Sequence, residues 1–91
     1  VLNVEKEFSS LLKVKMNVFP NPASTKVAIS LNENQQIQKV DFYNILGQKV
    51  MEKIYENTSF VEVNTSQLSK GIYIVKVYAN TKTTSKKLII N

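Results

Sequence analysis

The chain of 91 residues contains no cysteine, histidine, tryptophan or arginine. Without cysteine it can form neither a disulfide framework nor a thiolate metal site. Without histidine it lacks the commonest general base, the commonest metal ligand and the usual switch near neutral pH. Arginine supplies bidentate contacts to phosphate and guanine, so its absence disfavours a nucleic-acid partner.

Other sources of chemistry are equally sparse. Two glycines, Gly47 and Gly71, cannot build a glycine-rich phosphate cradle, and one aspartate, Asp41, cannot supply a calcium loop. Serine and threonine are plentiful, but no histidine is present to activate them. Most of the acidic residues fall on turns or outward strand positions, where we expect a solvated surface role. We therefore expect no catalytic residue, no metal, no cofactor and no small-molecule substrate.

No apolar run approaches the roughly 18 residues that span a membrane, and no signal peptide with a basic start and apolar centre is present. The chain begins with Val1 rather than methionine. We expect it to be a piece of a longer precursor.

What is present fits one globular domain. Apolar residues make up 43% of the chain, and twelve lysines against seven acidic residues give a net charge of +5. The lysines are scattered along the chain, which is typical of a solvated, non-aggregating surface.

Alternation of apolar and polar residues predicts about seven short strands at roughly ten-residue spacing, which is the pattern of an all-β sandwich. We expect residues 14–91 to form this sandwich and residues 1–13 to be a linker or the tail of an upstream segment. The stretch from Ile72 to Tyr78 is apolar on both faces, which predicts a central strand. Asn57-Thr58 is interpreted as a turn, and residues 64–71 as one capped helical turn in which Leu68 points inward. The inward strand positions are predicted to be Val27, Ile29, Leu31, Val40, Phe42, Val50 and Ile54.

The last predicted strand, residues 83–90, is unusual because most chains fray at their ends. We expect Leu88 and Ile90 to pack inward while Lys86 and Lys87 stay outside. An ordered terminal strand would also offer a sheet edge to which a partner strand could be added.

Aromatic residues leave a second functional interpretation open. Tyr43, Tyr55 and Tyr78 are predicted to lie opposite the core and could form a carbohydrate-binding or adhesive face. We favour the alternative, that they cover a sheet edge or pack against a neighbouring domain. A third possibility is a structural spacer that stabilises an upstream enzyme.

Four sequence blocks in fixed order carry a resemblance. They are Phe19-Pro20-Asn21-Pro22-Ala23, Asp41-Phe42-Tyr43-Asn44-Ile45-Leu46-Gly47-Gln48-Lys49-Val50, Leu68-Ser69-Lys70-Gly71-Ile72-Tyr73-Ile74-Val75-Lys76-Val77 and Lys86-Lys87-Leu88-Ile89-Ile90. In this the chain resembles the type A C-terminal sorting domain of the type IX secretion system of Bacteroidetes, over roughly residues 14–91.

The resemblance implies an immunoglobulin-like β-sandwich of about seven antiparallel strands without enzymatic activity. It implies that the domain directs an upstream cargo protein through the periplasm and across the outer membrane, to the cell surface or the medium. It also implies two outer-membrane partners, a shuttle protein and a sortase-like protease that removes the domain. The residues expected to take part in recognition are Pro20, Asn21, Pro22, Gly71, Tyr73, Lys86, Lys87, Leu88, Ile89, Ile90 and Asn91.

Overall fold

The computed structural model describes residues 15–32, 35–80 and 82–91. All regular secondary structure in this part of the chain is β, and it contains no helix long and apolar enough to cross a membrane. The expectation for residues 1–13 lies outside the described residues. The seven strands are β1 (Met16–Phe19), β2 (Lys26–Leu31), β3 (Ile37–Tyr43), β4 (Lys49–Thr58), β5 (Phe60–Asn64), β6 (Gly71–Ala79) and β7 (Thr83–Ile90).

The strands form two antiparallel sheets, with order β1-β2-β5 in the first and β4-β3-β6-β7 in the second. The predicted all-β sandwich of seven antiparallel strands is confirmed. In an immunoglobulin constant domain the fourth strand belongs to the sheet of the first, second and fifth strands. Here β4 pairs with β3 in the other sheet. The closer assignment as immunoglobulin-like stays a prediction.

The core lies between the two sheets. Val27, Ile29, Val40 and Phe42 are fully buried, as their alternation predicted, and Leu31 is 8% exposed. Strand β6 is an interior strand, as predicted. Its Val75 and Val77 are fully buried, but Ile72 and Ile74 on its other face remain exposed, because nothing covers the outer face of that sheet within the described part of the chain.

The prediction that Val50 and Ile54 face the core was wrong. They are 41% and 75% exposed, and Met51 and Tyr55 pack against the core instead. Pairing between β3 and β4 shifts register between Ile37 and Lys39 and again between Phe42 and Tyr43. A one-residue shift transfers every side chain to the opposite face of a strand, and the alternation in sequence does not reveal where such a shift occurs.

Two loop predictions also need correction. Residues 64–71 do not form a helical turn: Leu68 N–H donates to the Thr65 carbonyl at 3.0 Å, which closes a single turn before β6 begins. Asn64 does accept a backbone hydrogen bond, from Ser66 N–H at 2.9 Å, and Leu68 does pack against the core. The side chain satisfies the backbone locally, and the loop is too short to propagate a helix.

The turn predicted at Asn57-Thr58 lies inside β4, which continues to Thr58. Asn57 has a φ of 51°, a left-handed value that asparagine tolerates better than most residues. The chain reverses at Ser59, where the Thr58 hydroxyl donates to the Phe60 carbonyl at 2.7 Å.

Candidate functional site at the C-terminal strand

Strand β7 lies at the edge of the four-stranded sheet and carries the residues predicted for recognition. Leu88 is fully buried and Ile90 is 3% exposed, whereas Lys86 and Lys87 are exposed. The predicted division of this strand into anchoring apolar residues and accessible lysines is therefore confirmed.

Strand β6 positions β7 from its paired side. Gly71 lies opposite Ile90 and Tyr73 opposite Leu88. Tyr73 is 7% exposed, and its hydroxyl donates to the Ser69 carbonyl at 2.7 Å. A buried hydroxyl needs such a partner, and the bond ties the loop before β6 to the strand that carries the C-terminus.

Asn21 holds β7 from its other side. Its Nδ2 donates to the Lys87 carbonyl at 2.8 Å, and its Oδ1 accepts from Ile89 N–H at 3.1 Å. A residue in a parallel strand bonds the carbonyl of one residue and the N–H of the residue two positions further along. The Asn21 side-chain amide therefore substitutes for a backbone peptide group beside β7.

Ala23 continues the same ladder with its backbone. Its N–H donates to the Ile89 carbonyl at 2.8 Å, and its carbonyl accepts from Asn91 N–H at 2.8 Å, which makes a parallel bridge between Ala23 and Ile90. Ala23 itself is buried. We call this arrangement, the Asn21 side chain and the Ala23 backbone bonded to residues 87–91, the clasp.

The clasp corrects the expectation of a free edge for strand addition. Residues 87, 89 and 91 direct backbone groups away from β6, and the clasp already bonds those groups. Before Lys87, no clasp bond reaches β7, so within the described residues the first part of this strand leaves its edge open. The sequence could not show this, because Asn21 and Ile89 are 68 residues apart.

The structure brings the predicted recognition residues into one region. Asn21 contacts β7 directly, Pro20 and Pro22 flank it in an exposed loop, and both prolines follow cis peptide bonds. Gly71 and Tyr73 lie opposite the end of β7. We call residues 20–23, 71–73 and 86–91 together the C-terminal patch.

A second polar cluster surrounds Asp41 on the outer face of the four-stranded sheet. Asp41 is fully buried, so its predicted solvated position was wrong. Its Oδ2 accepts from the Tyr43 hydroxyl at 3.2 Å and lies 3.6 Å from Lys39 Nζ and 3.8 Å from Lys49 Nζ. Its Oδ1 has no hydrogen-bond partner among the described residues. Lys39 and Tyr43 of the same strand and Lys49 of β4 thus place long side chains against this carboxylate, although it points away from the core.

The cluster changes the acidity of two of its members. The pKa of Lys49 is raised above 10.5, first because Glu52 Oε2 accepts its hydrogen bond at 3.2 Å and further because Asp41 is close. The pKa of Tyr43 is raised above 10.0, first by desolvation and then by hydrogen bonding to Tyr78 and Asp41. Both shifts favour the protonated form, in which these groups bond the carboxylates.

The described part of the chain also matches a known protein family. The model of the family described as secretion system C-terminal sorting domain matches residues 17–91. The chain belongs to this family. The sorting domain carries the type IX secretion signal that its four sequence blocks predicted, and this places it among proteins that are secreted or displayed at the cell surface.

Two curated relatives share the sorting domain. It is 36% identical over 77 residues to the ulvan lyase NLR42 of Nonlabens ulvanivorans, covering 84% of this chain and 14% of the relative. It is 29% identical over 83 residues to an endo-acting ulvan lyase of Formosa agariphila, covering 90% of this chain and 16% of the relative. The chain thus spans about one seventh of the length of these two relatives.

The described part of the sorting domain contains no group of three or more acidic residues arranged to hold a metal ion. Asp41 and Glu52 are opposite each other in the pairing of β3 and β4, but both are bonded to lysines on the same face. A glycosidase needs two carboxylates across a substrate cleft, with one held protonated as the general acid. Asp41 and Glu52 therefore form a structural ion network.

The three tyrosines do not form an open sugar-binding face. Tyr55 packs against the core, so its prediction was wrong. Lys39 Nζ lies 4.3 Å from the centre of the Tyr78 ring and Lys76 Nζ lies 5.3 Å from it, which places two cations against this ring. Tyr43 is bonded into the Asp41 cluster. Stacking on a sugar requires an uncovered ring face, and these contacts disfavour it.

Proposed function

We propose that this sorting domain is a non-catalytic secretion signal, and that the outer-membrane components of type IX secretion recognise it at its C-terminal patch. In this proposal a shuttle protein binds the folded domain, and a sortase-like protease then removes it from the cargo. The absence of histidine and cysteine from the sequence and the structural bonding of Asp41 and Glu52 support a role without catalysis.

The observation that carries the proposal is the clasp. Chain ends are usually poorly ordered unless hydrogen bonds or packing hold them. Here Asn91 N–H is bonded by the Ala23 carbonyl, and Ile90 is buried one residue earlier. The clasp therefore holds residues 87–91 against the folded domain, as a surface recognised in the folded state requires.

The positive charge of the C-terminal patch favours recognition by an acidic partner. Lys86 and Lys87 are exposed next to buried Leu88, and the domain as a whole carries a net charge of +5. Exposed charges at the rim of a contact mainly raise association rates and select partners of opposite sign. Replacing these lysines should thus weaken recognition without unfolding the domain.

A fusion of the 91-residue chain to a periplasm-targeted fluorescent protein tests the proposal in a host competent for type IX secretion. We expect fluorescence at the surface or in the medium, and a large reduction for the double variant Lys86→Glu, Lys87→Glu. The matched control is Lys15→Glu, Lys53→Glu, which reverses two exposed lysines outside the patch. Retention of the folded wild-type fusion in the periplasm would contradict the proposal.

Removal of the domain has a separate readout. Mass spectrometry of the exported fusion should show a cargo that lacks the 91-residue chain, whereas the retained fusion of the charge-reversed variant should keep it. Export of the intact fusion would contradict the proteolytic step but not the proposed role of the domain as a secretion signal.

A further inference from the structure

The outer face of the four-stranded sheet has an apolar groove beside the C-terminal patch. Its walls include Ile45 from the β3–β4 turn and Ile72 and Ile74 from β6, and its volume is about 540 Å³. These three isoleucines are 78%, 47% and 41% exposed. A contiguous set of exposed large apolar side chains is typical of an interaction surface, whereas exposed apolar residues scattered singly are normal on any protein.

The turn that forms one wall is firmly built. Asn44 Oδ1 accepts from Leu46 N–H at 2.9 Å and from Gln48 N–H at 3.0 Å, and Gly47 N–H donates to the Asn44 carbonyl at 3.0 Å. Gly47 has a φ of 82°, which favours glycine over residues with a Cβ. The hydrogen bonds fix Ile45 and Leu46 in outward positions, so their exposure is part of the folded structure.

Unpaired positive charge borders the groove. Lys76 lines it, and Lys87 lies opposite Ile74 in the pairing of β6 with β7. Neither lysine forms an ion pair with any residue in the described ranges. The carboxylates of the same face, Asp41 and Glu52, are already bonded to Lys39 and Lys49.

We propose that this groove binds an acidic segment of a protein partner, whose apolar side chain packs against Ile72 and Ile74 while its carboxylates bond Lys76 and Lys87. The inference rests on the proposed function, since Ile72 and Lys87 also belong to the C-terminal patch. It extends the recognition surface from the end of β7 across the sheet to the β3–β4 turn.

The same features disfavour two other occupants. A second copy of this chain would bring two lysine-bordered grooves of net positive domains together, at a cost in charge repulsion. A membrane surface is entered by projecting side chains, whereas Ile72 and Ile74 lie along an extended strand and form the side of a concavity.

Export of the full-chain fusion provides the first test. The variant Ile72→Thr, Ile74→Thr keeps β-branched residues in β6. We expect its exported fraction to fall about tenfold, the effect of weakening one contact by about 1.4 kcal/mol. Val50→Thr is the matched control because Val50 is also 41% exposed but does not line the groove. Normal export of the groove variant would overturn the inference and leave the proposed function intact; failure of the wild-type fusion to be exported would overturn both.

Binding to purified probes identifies the occupant. We expect an acetylated peptide with two leucines between pairs of glutamates to shift the methyl NMR signals of Ile72 and Ile74. The matching peptide with lysines in place of glutamates should leave them unchanged. Equal shifts with both peptides, or with neither, would overturn the inference. The inference would also be overturned if the domain sedimented with phosphatidylglycerol vesicles, or formed a concentration-dependent dimer, and the Ile74→Thr variant lost that behaviour.

Discussion

The side chain of Asn21 pairs with Ile89 as a residue of a neighbouring strand would. Its Oδ1 accepts a hydrogen bond from Ile89 N–H at 3.1 Å, and its Nδ2 donates to the carbonyl of Lys87, two residues earlier, at 2.8 Å. A short loop thereby completes the edge of the strand that ends the chain. Edge strands are prone to unwanted pairing unless they are covered. The clasp covers the part of β7 that contains the last residues.

Replacing Asn21 by alanine should loosen this edge. Two partly solvated hydrogen bonds are lost, and we expect unfolding to become easier by about 1 kcal/mol. Amide exchange at Ile89 should accelerate more than at Val75 in the middle of the sheet. Urea unfolding and hydrogen exchange measure both effects, and Asn17→Ala on exposed β1 is the control. Unchanged exchange at Ile89 would show that the clasp does not hold the strand.

Leu88 should matter to stability before it matters to recognition. It is fully buried, and Leu88→Ala should reduce the free energy of unfolding by about 2–5 kcal/mol through lost burial and a cavity. Thermal unfolding followed by circular dichroism measures the loss. Leu46→Ala, at a residue 77% exposed, should change stability by less than about 0.5 kcal/mol. Equal effects of the two substitutions would contradict the observed packing.

Asp41 should contribute more than an ordinary surface carboxylate. Asp41→Ala leaves Lys39 and Lys49 without their buried counter-charge and removes the acceptor of the Tyr43 hydroxyl. We expect a loss of about 1–2 kcal/mol, below that of a fully buried ion pair because both lysines are partly exposed. Glu62→Ala, which breaks the exposed pair with Lys26, should cost at most a few tenths of a kcal/mol. A double-mutant cycle with Lys49→Ala should reveal coupling at Asp41.

Stability should fall at alkaline pH. The pKa values of Tyr43 and Lys49 are raised in the folded protein above 10.0 and 10.5. The unfolded chain therefore releases these protons first, and it binds fewer protons than the folded protein as the pH rises through this range. The contribution of both groups is complete below about pH 10 and is lost above it. Denaturant unfolding from pH 8 to 11 measures the decline, and Tyr43→Phe should make it shallower. A steeper decline in that variant would contradict the assignment.

The β-sandwich class, the interior place of β6 and most inward positions of β2 and β3 could be predicted from the sequence, because alternation reports burial wherever pairing is regular. The sequence also determined the family, through four short blocks that lie far apart along the chain. The burial of Leu88 and Ile90 and the exposure of the two lysines before them were correctly predicted from the last strand alone.

Features that depend on strand register and on distant partners became visible only in the folded structure. Bulges between β3 and β4 reversed the expected faces of Val50 and Ile54, because one inserted residue is invisible in a period-two pattern. Asp41 is buried with Lys39 and Tyr43 of its own strand and Lys49 of β4 against its carboxylate, and the clasp joins Asn21 to a strand at the other end of the domain. The partners in the clasp are 68 residues apart, so no short window of sequence contains both of them.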